Sequence, residues 1–184
     1  NAVKIVDGRI HGDNTDGTGL VSDIEKTAGL TLRGKRILML GAGGAARGAI
    51  LPLLQAGVIS LTVANRTAAK ARELAAEFSS RGDIAASDFD ALKGRFDIVI
   101  NATSASLEGE LPAVHPDIFA PGGLAYDMMY GKDPTVFMRF AAKHGVVARD
   151  GLGMLVEQAA EAFLLWRGVR PDTAPVYAAL RKGE

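Results

Sequence analysis

The stretch GAGGAA at residues 41–46 constrains this chain more than any other. It directly follows the apolar run KRILML (residues 35–40) and opens an alanine-rich segment of helical character that runs to Ala56 before Gly57. A G-x-G-x-x-A pattern takes its meaning from that strand–turn–helix setting. Gly41 permits the tight turn, Gly43 lets the backbone approach a pyrophosphate, and Ala46 is small enough for the helix to pack on the strand. Ala42, Gly44 and Ala45 then present backbone N–H groups to an anion. A glycine-rich connection with no ligand is the plain alternative.

Short β-rich runs alternate with segments of helical spacing along the rest of the chain, the pattern of βαβ units and a parallel sheet. SLTVA (60–64) reads as the second strand, and 68–78 as a helix with Leu74 and Phe78 four apart on one face and Thr67 as its N-cap. Further strands are predicted near Ile84 and at FDIVI (96–100), GLAY (123–126) and VVA (146–148). Helices are predicted at 135–144 behind Pro134, at 153–167 up to Gly168, and at 171–180. Residues 104–121 form the longest irregular stretch. The class is α/β: a Rossmann-like, doubly wound parallel sheet with helices on both faces.

The end of the second strand selects the dinucleotide. An Asp or Glu there would accept hydrogen bonds from the ribose of NAD, whereas this chain has Asn65, Arg66 and Thr67. A guanidinium meets a 2′-phosphate that a carboxylate would repel, Lys70 adds a second cation one helical turn on, and the reading favours NADP. Taken alone, Thr67 could merely cap a helix and Arg66 sit in solvent. Thr103 and Ser104, in NATS (101–104) after the FDIVI strand, stand at the sheet edge where ligands of open α/β sheets bind, and suit the nicotinamide end.

Composition closes other routes. The 21 Lys plus Arg balance the 21 Asp plus Glu, which argues against nucleic acid or an anionic membrane as partner. There is no cysteine and only three dispersed histidines, so no metal site is expected; His11, His115 and His144 read as surface residues. No apolar run approaches the roughly 20 residues of a membrane span, no signal peptide is visible, and the expected location is cytoplasmic. Residue 1 is Asn rather than Met, which fits a fragment.

Six segments taken together, GDNTDG (12–17), GAGGAARGA (41–49), NRT (65–67), NATS (101–104), YDMMY (126–130) and DGLGMLVEQAAEAF (150–163), closely resemble the shikimate dehydrogenase family over essentially the whole chain. That family reduces 3-dehydroshikimate to shikimate with NADPH on the route to aromatic amino acids. The resemblance implies that Asp16 is the catalytic carboxylate, working with a Lys of a substrate domain that this sequence does not match. It implies that Asn1, Asp16, Tyr130 and Gln158 contact the substrate, and that Met128 and Gly151 line the nicotinamide. It divides the chain into a connecting segment and helix from the substrate domain (1–30), the NADP-binding domain (31–150), and C-terminal helices that return to the substrate domain (151–184).

From the residues alone, Asp16 would be a helix N-cap, Asp13 a turn residue, Gln158 a solvated side chain, and Met154 and Trp166 packing residues. The partner implied is a small molecule, shikimate or 3-dehydroshikimate, and the protein a monomer or homodimer. A quinate/shikimate dehydrogenase, a non-catalytic dinucleotide-binding module and glutamyl-tRNA reductase are the other readings; the last shares GAGG and NRT but is not expected to carry GDNTDG or DGLGML.

Overall fold

In the computed structural model, which describes residues 1–105 and 109–182, the chain opens with an antiparallel hairpin that the sequence reading did not foresee. Strands β1 (Ala2–Val6) and β2 (Arg9–Asp13) pair from Ala2↔Asp13 to Val6↔Arg9. Asp7 and Gly8 both take positive φ, 49° and 74°, the geometry that a two-residue Asp-Gly turn needs to match strand twist. Asp-Gly between alternating apolar residues was the available signal. The segment 1–30 thus holds a hairpin ahead of its helix.

That helix, α1 (Asp16–Ser22), runs on into a π-helical turn, Asp23–Thr27. Thr15 occupies the N-cap and makes no side-chain cap bond, while Asp16 is the first helical residue. The N-cap reading of Asp16 is therefore displaced by one position; its carboxylate stands in the first turn, where the helix dipole favours negative charge.

Six parallel strands form the main sheet: β3 (Arg36–Leu40), β4 (Ser60–Ala64), β5 (Ile84–Ser87), β6 (Phe96–Asn101), β7 (Phe119–Asp127) and β8 (Val147–Arg149), in the order β5-β4-β3-β6-β7-β8. The chain moves outward from β3 to β5 and then returns to lay β6 on the other side of β3. This places the topological switch point between β3 and β6. Strand β7 begins at Phe119, after a 3₁₀ turn at Pro116–Ile118, so the irregular stretch expected at 104–121 is shorter than its sequence suggests; residues 106–108 of it lie outside the described residues.

Residues Ile37, Leu38, Met39 and Leu40 are all fully buried, and alternate side chains serve opposite faces. Ile37 and Met39 join one cluster with Ala46, Ala49, Ile50 and Leu53 of α2 (Gly44–Gln55) and Ala71 and Leu74 of α3 (Ala68–Phe78). Leu38 and Leu40 join the other with Phe137 and Ala141 of α4 (Val136–Lys143). Helices on both faces follow from an uninterrupted apolar strand.

Helix α5 (Leu152–Arg167) ends at Gly168, which takes the left-handed conformation, and is followed by α6 (Ala174–Lys182), which buries no residue among those described. Glycines let α1 lie against two neighbours at once: a Cβ on Gly17 would overlap the backbone of α2 at Gly48, and one on Gly19 would meet the Gln158 backbone of α5 at 2.7 Å. Met154 packs in the core as expected. Trp166, expected to pack, is half exposed and donates its indole N–H to the Val3 carbonyl at 2.9 Å, tying the hairpin to α5.

Candidate functional site

A cavity of about 480 Å³ opens at the switch point. It is lined on one side by Gly41, Ala42 and Gly43, on another by Asn65, Arg66, Thr67 and Lys70, and also by Ala102, Thr103 and Ser104. Gly41 makes the arrangement possible. Its φ of 105° is left-handed, and a Cβ there would meet the Ala102 carbonyl at 3.0 Å and the Thr103 methyl at 3.1 Å. The turns after β3 and β6 thus approach so closely that a side chain at Gly41 would crowd the second turn. Gly44 and Ala45 do not line the cavity; they form the first turn of α2, whose N-cap Gly43 carries no side chain to satisfy the helix's leading N–H groups.

Arg66 and Lys70 are exposed at the cavity, and no ion pair among the described residues engages either. Asn65 folds back so that its amide donates to the Thr67 carbonyl at 3.1 Å. Thr67 is the N-cap of α3 in position, but its hydroxyl makes no cap bond.

A second cluster gathers where the hairpin meets α1 and α5. Asn1 Nδ2 donates to Asp16 Oδ1 at 2.5 Å, and Asn1 Oδ1 accepts from the Thr15 N–H at 2.9 Å. The Thr15 hydroxyl lies 3.2 Å from Asn1 Oδ1 and 3.3 Å from Gln158 Oε1, so three of the sequence-predicted substrate residues meet around one buried threonine. Gln158 Nε2 is turned back to the Leu155 carbonyl at 2.9 Å. The Asn14 amide packs 2.6 Å from where a Gly48 Cβ would be, and Gly17 touches the same turn of α2. Asp16 therefore stands beside the helix that opens on the cavity.

Two family profiles match this chain: "Shikimate / quinate 5-dehydrogenase" over residues 23–108 and "Shikimate 5'-dehydrogenase C-terminal domain" over 151–181. The chain is 58% identical over 181 residues to the shikimate dehydrogenase (NADP(+)) of Janthinobacterium sp. (strain Marseille), covering 98% of this chain and 66% of that protein. The crystal structure of an Ael1 enzyme from Pseudomonas putida superposes with a TM-score of 0.91 at 52% identity, over 97% of this chain and 66% of the other. That of shikimate 5-dehydrogenase from Thermus thermophilus, in complex with NADP(H) and shikimate, superposes at 0.83 with 34% identity, over 99% and 67%. This chain belongs to the shikimate dehydrogenase family. It spans 66% of the length of the Janthinobacterium relative.

As a member of that family the chain still separates its predicted residues spatially. Met128 and Gly151 do not line the cavity, but they touch each other: a Cβ on Gly151 would overlap the Met128 carbonyl, and the Gly151 N–H donates to the Met129 carbonyl at 3.0 Å. Tyr130 is exposed three residues past the end of β7, and no hydrogen bond among the described residues ties it to the Asn1–Asp16–Gln158 cluster. Sequence reasoning passed over Thr15, which sits inside the GDNTDG motif, and over Phe89, Leu111 and Pro112, apolar lining residues that no local pattern marks. It also passed over the buried Asp127 and Asp23. An aspartate between apolar residues at a strand end, as in AYDMM, was the available signal for the first.

Proposed function

We propose that this chain carries the cofactor-binding part of an NADP-dependent oxidoreductase that interconverts 3-dehydroshikimate and shikimate. The observation that carries this reading is one cavity that joins an uncapped helix N-terminus to two exposed cations, Arg66 and Lys70, in a chain 34% identical to an enzyme seen with NADP(H) and shikimate. In this reading residues 31–150 hold the dinucleotide, 1–30 connect to a substrate domain and 151–184 return to it. The substrate is a small molecule and the setting cytoplasmic, in keeping with a chain free of cysteine.

The residues fit the cofactor. At Gly43 and Gly44 the space a Cβ would take is open, so a pyrophosphate can approach the backbone N–H groups of Gly43, Gly44 and Ala45. Arg66 and Lys70, with Asn65 and Thr67, meet the 2′-phosphate; Thr103 and Ser104 line the nicotinamide end, to which Met128 and Gly151, outside the cavity lining, are assigned on the family resemblance. NADP supplies the hydride acceptor or donor. Asp16, oriented by the Asn1 amide, holds and polarises the proton-transferring Lys of the family, for which this sequence has no matching position. Asn1, Tyr130 and Gln158 bind the substrate hydroxyls.

Titrating NADP and NAD against the chain tests the cofactor assignment, and equal affinity for the two overturns it. Shikimate and NADP mixed with the chain are expected to give little NADPH absorbance; turnover near that of a full-length relative would show that these residues supply the proton transfer themselves and overturn this part of the reading. In a full-length relative, Asp→Asn at the position matching Asp16 is expected to abolish turnover while leaving NADP binding in place. The quinate/shikimate alternative, which the description of the matching family also names, is decided by assaying quinate beside shikimate in that relative.

A further inference from the structure

One buried carboxylate ties together the loops at the carboxyl ends of β6 and β7. Asp127 is fully buried at the last position of β7. Its Oδ1 accepts from Asn101 Nδ2 at 3.2 Å and from the Met129 N–H at 3.0 Å, and its Oδ2 accepts from the Thr135 hydroxyl at 2.6 Å. Asn101 is likewise fully buried at the end of β6. Its Oδ1 accepts from both the N–H and the hydroxyl of Thr103, at 3.1 and 2.7 Å. The main chain adds Met128 N–H to the Asn101 carbonyl at 2.9 Å.

The hydrogen-bonding chemistry gives this network a direction. Both Asp127 oxygens accept here and the Thr103 N–H can only donate, so together they fix which way the Asn101 amide faces: Nδ2 toward Asp127, Oδ1 toward Thr103. That oxygen accepts a hydrogen bond from the Thr103 hydroxyl, which leaves the Thr103 methyl facing Gly41 of the phosphate turn. Asp127 itself does not line the cavity; it acts through Thr103 on one loop and through the Met128–Met129 turn, braced on Gly151, on the other.

We infer that Asp127 is a positioning residue for the nicotinamide end of the cavity, setting the Thr103 wall by fixing the Asn101 amide. This rests on the NADP reading given above. Its test compares two ligands of this chain: NADP, which spans the whole site, and adenosine 2′,5′-bisphosphate, which reports the adenosine end alone. Asp127→Ala is expected to weaken NADP about tenfold or more, the scale of a lost hydrogen bond to a charged group, with bisphosphate affinity unchanged within about twofold. Asp127→Asn keeps an acceptor at Oδ1 and is expected to recover most of the NADP affinity. If Asp127→Ala does not fold, Asn101→Ala carries the same test, since it frees Thr103 and spares the carboxylate.

Parallel loss of both ligands in the folded variants would mark a merely structural role and overturn the inference, as would unchanged NADP affinity. A wild-type chain that bound neither ligand would sink the cofactor reading together with the inference. Wild-type binding with indifferent variants would sink the inference alone.

Discussion

Gly153 and Asp23 share one volume: a Cβ on the glycine would overlap the carboxylate of the aspartate. Asp23 is fully buried in the π-helical turn after α1 and receives Arg149 through Nη2 at 2.8 Å and Nε at 3.2 Å, along with the Tyr126 hydroxyl at 2.7 Å. One carboxylate thereby joins α1 to β7 and β8, and it fits only because the first turn of α5 lacks a side chain facing it. Gly153→Ala is expected to push Asp23 off its partners and lower stability by about 3 kcal/mol or more, since breaking a buried ion pair costs ~3–5 kcal/mol. Urea denaturation measures it, and a midpoint within error of wild type would refute the account.

Tyr126 makes the same network sensitive to alkali. Burial, then the neighbouring Asp23 charge and hydrogen bond, hold its phenol well above the usual tyrosine value. A folded value raised above the unfolded one stabilises the protein below about pH 10 and is lost as pH rises through the folded value, because the unfolded chain ionises first. Unfolding free energy followed from pH 8 to 11 should therefore fall above about pH 10 in the wild type and fall less in Tyr126→Phe. At pH 8 the same variant should be less stable by ~1.5–3 kcal/mol, the value of a hydrogen bond to a charged group. Equal alkaline slopes for the two proteins would contradict the assignment.

The sheet was legible in the sequence because its strands are buried on both faces, so KRILML and FDIVI stand out as continuous apolar runs whatever surrounds them. The phosphate turn was legible for a related reason: close backbone approach demands glycine at fixed offsets. The hairpin was not, because Val3, Ile5 and Ile10 are exposed and no burial pattern disciplines the sequence there. Thr15, Asn101 and Asp127 were missed as network members because their partners lie 14 to 143 residues away in the chain for Thr15, and 26 for the Asn101–Asp127 pair. Long-range hydrogen bonds leave no periodicity.

Gly41→Ala tests the close approach of the β3 and β6 turns. The substitution meets a left-handed φ of 105° and the Ala102 carbonyl at 3.0 Å. Backbone strain of this kind costs of order 1–3 kcal/mol. The turn is expected to shift away from Ala102, so NADP affinity should drop together with thermal stability. A stable variant that binds NADP normally would show that the turn tolerates a side chain.

Arg66→Ala tests the choice of dinucleotide. The guanidinium is exposed at the cavity, and a 2′-phosphate would supply the counter-charge that no described ion pair gives it. Loss of a charge-assisted hydrogen bond of ~1.5–3 kcal/mol corresponds to NADP binding weakened roughly 10- to 100-fold. NAD lacks the 2′-phosphate, so its affinity should change little, and the preference for NADP over NAD should narrow by nearly the whole factor. Lys70→Ala should act in the same direction with a smaller effect, its flexible point charge being the poorer match to a phosphate. Because Arg66 is solvent-exposed, raising the salt concentration should erode the wild-type preference for NADP and leave the Arg66→Ala protein less affected. A variant that lost NADP and NAD affinity equally would show Arg66 to stack on the adenine rather than to read the phosphate.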